Sequence, residues 1–120
     1  MKHRFKDLKV WQKAMEAARL TYVRCATFPG DEKFGLISQM RRAAVSIPSN
    51  IAEGAGRESV KEFCHFLTIA NGSVHELETQ FLLAETFGYV DAGQAQEMST
   101  RLDELQRMIY GLQKSLSVPE

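Results

Sequence analysis

Apolar and small residues recur at alternating steps of three and four in four separate stretches of the chain. The first runs through Leu8, Trp11, Met15, Ala18, Tyr22 and Cys25, and the second through Ile37, Met40, Ala44, Ile47 and Ile51. The third is the longest, with Phe63, Leu67, Ala70, Val74, Leu77, Phe81 and Ala84; the fourth carries Met98, Leu102, Leu105, Ile109, Leu112 and Leu116. Such spacing places one apolar stripe on each of four helices, and no stretch shows the period-two alternation of a strand. Four amphipathic helices with short connections bury their stripes most simply against one another. The pattern therefore predicts an all-α fold, an antiparallel up-down four-helix bundle. At 120 residues with 44% hydrophobic side chains, the chain can build one real core, read here as a single domain over residues 1–120.

The punctuation between the stripes supports this division. Ser59 and Glu62 have capping-box spacing before the third helix, as do Asp91 and Gln94 before the fourth. Asp7 is a plausible N-cap for the first helix, "FPGDE" ends it, and Gly88 ends the third. Pro48 lies inside the second stripe, where it lacks a donor for the carbonyl four residues back and crowds it, so a kink in that helix is expected. The following "EGAGR" reads as the helix exit, with Gly54 or Gly56 in a left-handed cap.

Around Pro48, Gln39, Arg42, Ser46, Ser49, Glu53 and Arg57 form a polar line at helical spacing, facing away from the core. Two readings of this line stand side by side. In the structural one, Ser46, Ser49 and Asn50 satisfy carbonyls freed at Pro48, and Glu53 pairs with Arg57 across the last turn. In the functional one, Ser46, Pro48, Ser49, Asn50 and Glu53 belong to a subunit interface, and Arg42, Asn50 and Arg57 offer donors to a phosphate or a neighbouring subunit. A second apolar line, Val10, Ala14 and Ala17 on the first helix with Phe66 and Ile69 on the third, signals either self-association or a broad core stripe.

Formal net charge is zero, but residues 1–57 hold 11 Lys and Arg against 5 Asp and Glu, and residues 58–120 hold 4 against 10. The basic half nominates Lys6, Lys9 and Lys13 of the first helix, Arg41 and Arg42 of the second, and Arg57 as a phosphate-binding surface. The bland reading is a solvated face, or halves that neutralise each other within or between subunits. Stacking aromatics of the kind seen in RNA-recognition motifs are not evident, so sequence-specific readout is not expected.

Catalysis is not expected. Glu62 and His65 form one E-x-x-H pair, whereas a bundle di-iron site needs a second pair and two further glutamates. The glycines at 54 and 56 follow a helix rather than a strand and lack the Lys of a phosphate loop, and no serine or cysteine sits in a nucleophile elbow. No metal and no cofactor is implied. Cys25 and Cys64 are too few for a disulfide framework and fall in apolar periodic segments. The longest run free of both charged side chains and histidine, Ala43 to Ala52, contains Pro48, so no membrane span and a cytoplasmic protein are expected.

Three strings, "FKDLKVW", "FGLISQMRRAAVSIPSNIAEGAGR" and "KEFCHFLTIANGSVHELETQFLLAETFGY", resemble in order the bacterial four-helix bundle family encoded by 23S rRNA intervening sequences. The resemblance covers about residues 5–90. Met40, Phe81 and Phe87 stand where Leu is expected and Ala55 where Ser is common, while every charged motif position is kept. The resemblance implies an up-down bundle assembling as a ring-like homopentamer. A similar fold serves as the accessory variability protein of diversity-generating retroelements, a basic pentamer that binds nucleic acid and a reverse transcriptase. The expected partners are thus other copies of the chain, RNA or DNA, and a protein such as a reverse transcriptase. The expected function is an oligomeric, non-catalytic nucleic-acid-binding protein for structured RNA, the alternative being a homo-oligomeric protein-interaction scaffold with no nucleic-acid binding.

Overall fold

A computed structural model describes residues 3–117. They form α1 (Lys9–Cys25), α2 (Leu36–Ala55), α3 (Val60–Thr86) and α4 (Ala92–Ser117), with short 3-10 turns at Phe5–Asp7 and Gly30–Glu32. Each helix packs along its chain neighbours and α1 closes against α4, with no strand among the described residues. The result is the expected four-helix bundle, 50 Å long and 24 by 20 Å across.

The helix ends follow from local chemistry. The Glu62 N–H donates to Ser59 Oγ at 3.1 Å, and at α4 the capping pair is fully reciprocal, Gln94 N–H to Asp91 Oδ1 at 2.8 Å and Asp91 N–H to Gln94 Oε1 at 3.0 Å. Helix α3 stops at Gly88, with φ of 80°; the Tyr89 and Gly88 amides turn back to the Ala84 and Glu85 carbonyls in a Schellman motif. Two expectations are corrected. Asp7 does not cap α1, because residues 5–7 form their own turn that brings Phe5 edge-on to Trp11 at 5.2 Å; Asp7 pairs with Arg4 and the helix starts after Leu8. Neither Gly54 nor Gly56 is left-handed: α2 runs to Ala55, Gly56 ends it at φ −86°, and Gly54 lies inside the helix against Phe63 and Phe66.

The core stripes of α2 and α3 are those expected, and all seven named α3 positions are buried. In α4, Met98, Leu102, Leu105 and Ile109 are buried, while Leu112 and Leu116 pack half-buried at its end. Helix α1 is rotated from its expected stripe. Its core face is Val10, Ala14, Ala17, Thr21 and Cys25, with Ala18 and Leu20 at the edges, whereas Met15 and Tyr22 are 46% and 44% exposed. The chosen line is rich in alanine, which lets α1 approach its neighbours closely, and Thr21 satisfies its hydroxyl on the Ala17 carbonyl at 2.8 Å. The broad-stripe reading of the second apolar line holds for Val10, Ala14 and Ala17, all buried; Phe66 is half-buried and Ile69 exposed. Helix α2 is continuous through the buried Pro48.

Candidate nucleic-acid interface

The six nominated cations do not form one patch. Lys6 lies on the 3-10 turn and Lys9 at the start of α1, both exposed; the His3 amide donates to the Ala55 carbonyl, so this end of the bundle also holds the end of α2. Arg57 is there too, its guanidinium shared between Glu53 (3.3 Å) and Glu62 (3.8 Å) and stacked 4.9 Å from the Phe66 ring centre. Lys13 faces α4 and pairs with Glu104 at 3.2 Å. Arg41 and Arg42 lie toward the opposite end, beside Tyr22, some 20 Å along α1 from Lys9 at about 1.5 Å per residue.

That second end carries a groove that none of the sequence patterns outlined. It is lined by Tyr22 of α1, Lys33 and Phe34 of the connection, and Ile37, Ser38, Arg41, Arg42, Val45 and Ser46 of α2. Phe34 is 89% exposed, with the Lys33 ammonium 5.5 Å from its ring centre, and the Arg41 guanidinium lies 4.8 Å over the Tyr22 ring. Among the described residues no acidic side chain lines the groove, and Lys33, Arg41 and Arg42 form no ion pair. Lys33, Phe34 and Tyr22 were missed: Tyr22 fits a core stripe by spacing, and Lys33-Phe34 fits none. An aromatic side chain outside every rhythm, in a connection next to a lysine, was the available signal.

Near Pro48, part of the polar line ties α2 to α3. Ser46 Oγ meets Ser73 Oγ of α3 at 2.8 Å, and the Asn50 amide donates to the Ser46 carbonyl (2.8 Å) and to Ser46 Oγ (2.9 Å). The carbonyl that Pro48 leaves without an i+4 donor belongs to Ala44, so this network joins α2 to α3 rather than repairing that position. Glu53 is held by Arg57, as its spacing foretold, and Ser49 is exposed. Arg42 also borders a second groove with Gln39, Ala43, Ser46 and Glu76, where a carboxylate accompanies it.

Elsewhere, burial pushes the Cys25 thiol up to about 11 despite the nearby Arg41 charge. The Glu62 carboxylate is engaged by the Ser59 hydroxyl and Arg57, and the His65 ring lies edge-on to Phe66 at 5.9 Å. Among the described residues no helix is long and apolar enough to cross a membrane.

The family model for the 23S rRNA-intervening sequence protein matches residues 6–111, nearly the whole bundle. The chain belongs to that family. Among solved structures, the intervening-sequence fold is shared with a protein of unknown function from the S23 ribosomal protein family of Bacteroides thetaiotaomicron. The two superpose with a TM-score of 0.78 over 88% of this chain and 98% of that one, at 24% identity. No curated protein matches.

Proposed function

We propose that this intervening-sequence family protein is a self-associating, non-catalytic bundle that binds structured RNA through the groove between α1, the α1–α2 connection and α2. The observation that carries the reading is the convergence of Lys33, Arg41 and Arg42 with the aromatic rings of Tyr22 and Phe34, where among the described residues these cations form no ion pair and no carboxylate lines the groove. Because net charge is zero, attraction to phosphate has to be local, and a segregated groove supplies it. Self-association is supported by aliphatic side chains left in water, Met15 and Val45 beside the groove and Ile69, Leu82 and Leu83 on α3. Assembly as a homopentamer, which the family resemblance suggests, would multiply the groove within one particle and raise avidity.

The test is fluorescence anisotropy of a labelled RNA hairpin at several salt concentrations. Binding should weaken steeply with salt, and the joint change of Lys33, Arg41 and Arg42 to Ala should abolish it while sedimentation shows the same oligomer. Changing Lys6 and Lys9 should cost less. The alternative scaffold reading is favoured by one feature, the apolar strip of Met15, Ala18, Val45 and Pro48 that continues the groove along α1 and α2. It gains the ground if no RNA binds at low salt, or if the triple variant dissociates the oligomer.

A further inference from the structure

We infer that the groove takes an unpaired segment of nucleic acid, with a base stacked on Phe34, rather than the phosphate backbone of a duplex. The inference rests on the nucleic-acid reading above and narrows it: of a structured RNA, the groove takes an unpaired loop or bulge rather than the stem.

A phosphate surface needs cations only, and a duplex keeps the faces of its bases stacked inside unless it is kinked open at a cost of a few kcal/mol per step. This groove instead presents aromatic faces among its cations. Phe34 is the most exposed large apolar side chain among the described residues, 89% accessible, in a groove where Lys33, Arg41 and Arg42 can track a backbone. Aromatic rings interleaved with positive charge are what sequence-tolerant single-strand binding uses, since every base has a face to stack.

The ring is carried on a braced segment. Glu32 accepts from the Leu36 amide through Oε1 at 3.3 Å and from the Tyr89 hydroxyl through Oε2 at 2.7 Å, closing the short stretch Lys33-Phe34-Gly35 between two fixed ends. At Gly35 a Cβ would lie 2.9 Å from Glu32 Oε1, so this closed path suits glycine there. The rim of the groove is therefore set before a ligand arrives, which lowers the ordering cost of binding. Tyr22 gives a second face, already covered on one side by the Arg41 guanidinium. Stacking and phosphate contacts are common to RNA and DNA, so the shared chemistry is an unpaired, stackable strand.

The experiment compares an unstructured RNA of about 16 nucleotides, the DNA of the same sequence, and the RNA duplex, each titrated with wild type, Phe34→Ala and Phe34→Trp at one low salt concentration. Either single strand should bind more tightly than the duplex, and the two strands together tell RNA from DNA. Phe34→Ala should weaken single-strand binding about 5- to 150-fold and leave duplex binding unchanged, while Phe34→Trp retains affinity and shows quenching by the stacked base. Because the ring is in water, circular dichroism of both variants should match wild type. Duplex binding as tight as single-strand binding, or an unchanged single-strand affinity in Phe34→Ala, overturns the inference and leaves the wider reading standing. Failure of all three nucleic acids to bind wild type overturns both.

Discussion

The Tyr89 hydroxyl donates to Glu32 Oε2 at 2.7 Å, tying the turn between α3 and α4 to the connection between α1 and α2. The phenol ring packs against Phe28 and Phe87, at centroid distances of 5.2 and 5.6 Å. The hydrogen bond to Glu32 raises the Tyr89 pKa above 10.0, helped by desolvation and by the charges of Glu32 and Asp31. A raised folded value means that the neutral phenol is the bound form. Its contribution to stability is complete below the unfolded value near 10 and is lost as pH climbs through the higher folded value. An NMR titration of the Tyr89 ring should therefore give a midpoint above 10.0; a midpoint at or below it would show that the bond does not persist in solution.

Cys25 should be inert while the bundle is folded. It is 1% exposed, and burial raises its thiol to about 11, leaving roughly one thiolate in a thousand at pH 8. Iodoacetamide at pH 8 followed by mass spectrometry should leave Cys25 unmodified in the native protein and modify it fully in denaturant. Rapid native labelling would mean that the Cys25 end of α1 opens on the timescale of the reaction. By the same linkage, this thiol's contribution to stability is complete below its ordinary value of 9.0 and is lost as pH rises from there through about 11.

What could be read in advance, and what could not, divides along a physical line. Helix α3 was legible in full because its start is a capping pair, its end is a glycine, and one continuous stripe of large side chains leaves a single choice of inward face. Helix α1 offered two adjacent stripes, and the one with the larger side chains, through Met15 and Tyr22, was the natural choice. The bundle instead buries the alanine line, because how closely neighbouring helices approach decides which face is inside, and that distance is a property of the partners. Of the site, Arg41 and Arg42 were legible as charge on the first turns of α2. Lys33 and Phe34 were not, since their place depends on the Glu32–Tyr89 bond between residues 57 positions apart.

The rotation of α1 changes what Trp11 is expected to contribute. A fully buried tryptophan replaced by alanine costs about 3–5 kcal/mol, but Trp11 is half-buried at the edge of the core against Phe5. Trp11→Ala should cost about 1–3 kcal/mol, and Leu67→Ala, at a fully enclosed α3 position, about 2–5 kcal/mol. For a chain of this length each kcal/mol lowers Tm by roughly 4 °C, so the two melts should separate with the Leu67 variant lower. The reverse order would place Trp11 in the centre of the core.

Glycine content gives a prediction with opposite signs at two helical positions. Alanine is intrinsically better than glycine inside a helix by about 1 kcal/mol, so a substitution that meets no obstacle should stabilise. At Gly72 of α3 a Cβ meets nothing within 4 Å, and Gly72→Ala should raise stability by about 0.4–1 kcal/mol. At Gly54 of α2 the added Cβ would lie 2.8 Å from Phe66 Cβ, 2.9 Å from Phe63 Cδ1 and 3.2 Å from the Phe63 carbonyl oxygen. Phe66 Cβ and the carbonyl are fixed to the α3 backbone, and Phe63 is buried, so the first turns of α3 would have to move away from the end of α2. Overpacking of that kind costs about 1–3 kcal/mol, which exceeds the helix-propensity gain. Gly54→Ala should therefore lower Tm while Gly72→Ala raises it, and chemical denaturation of the two variants beside wild type measures both. If Gly54→Ala proved as stabilising as Gly72→Ala, the close contact between the end of α2 and the start of α3 would be looser in solution than the structure has it.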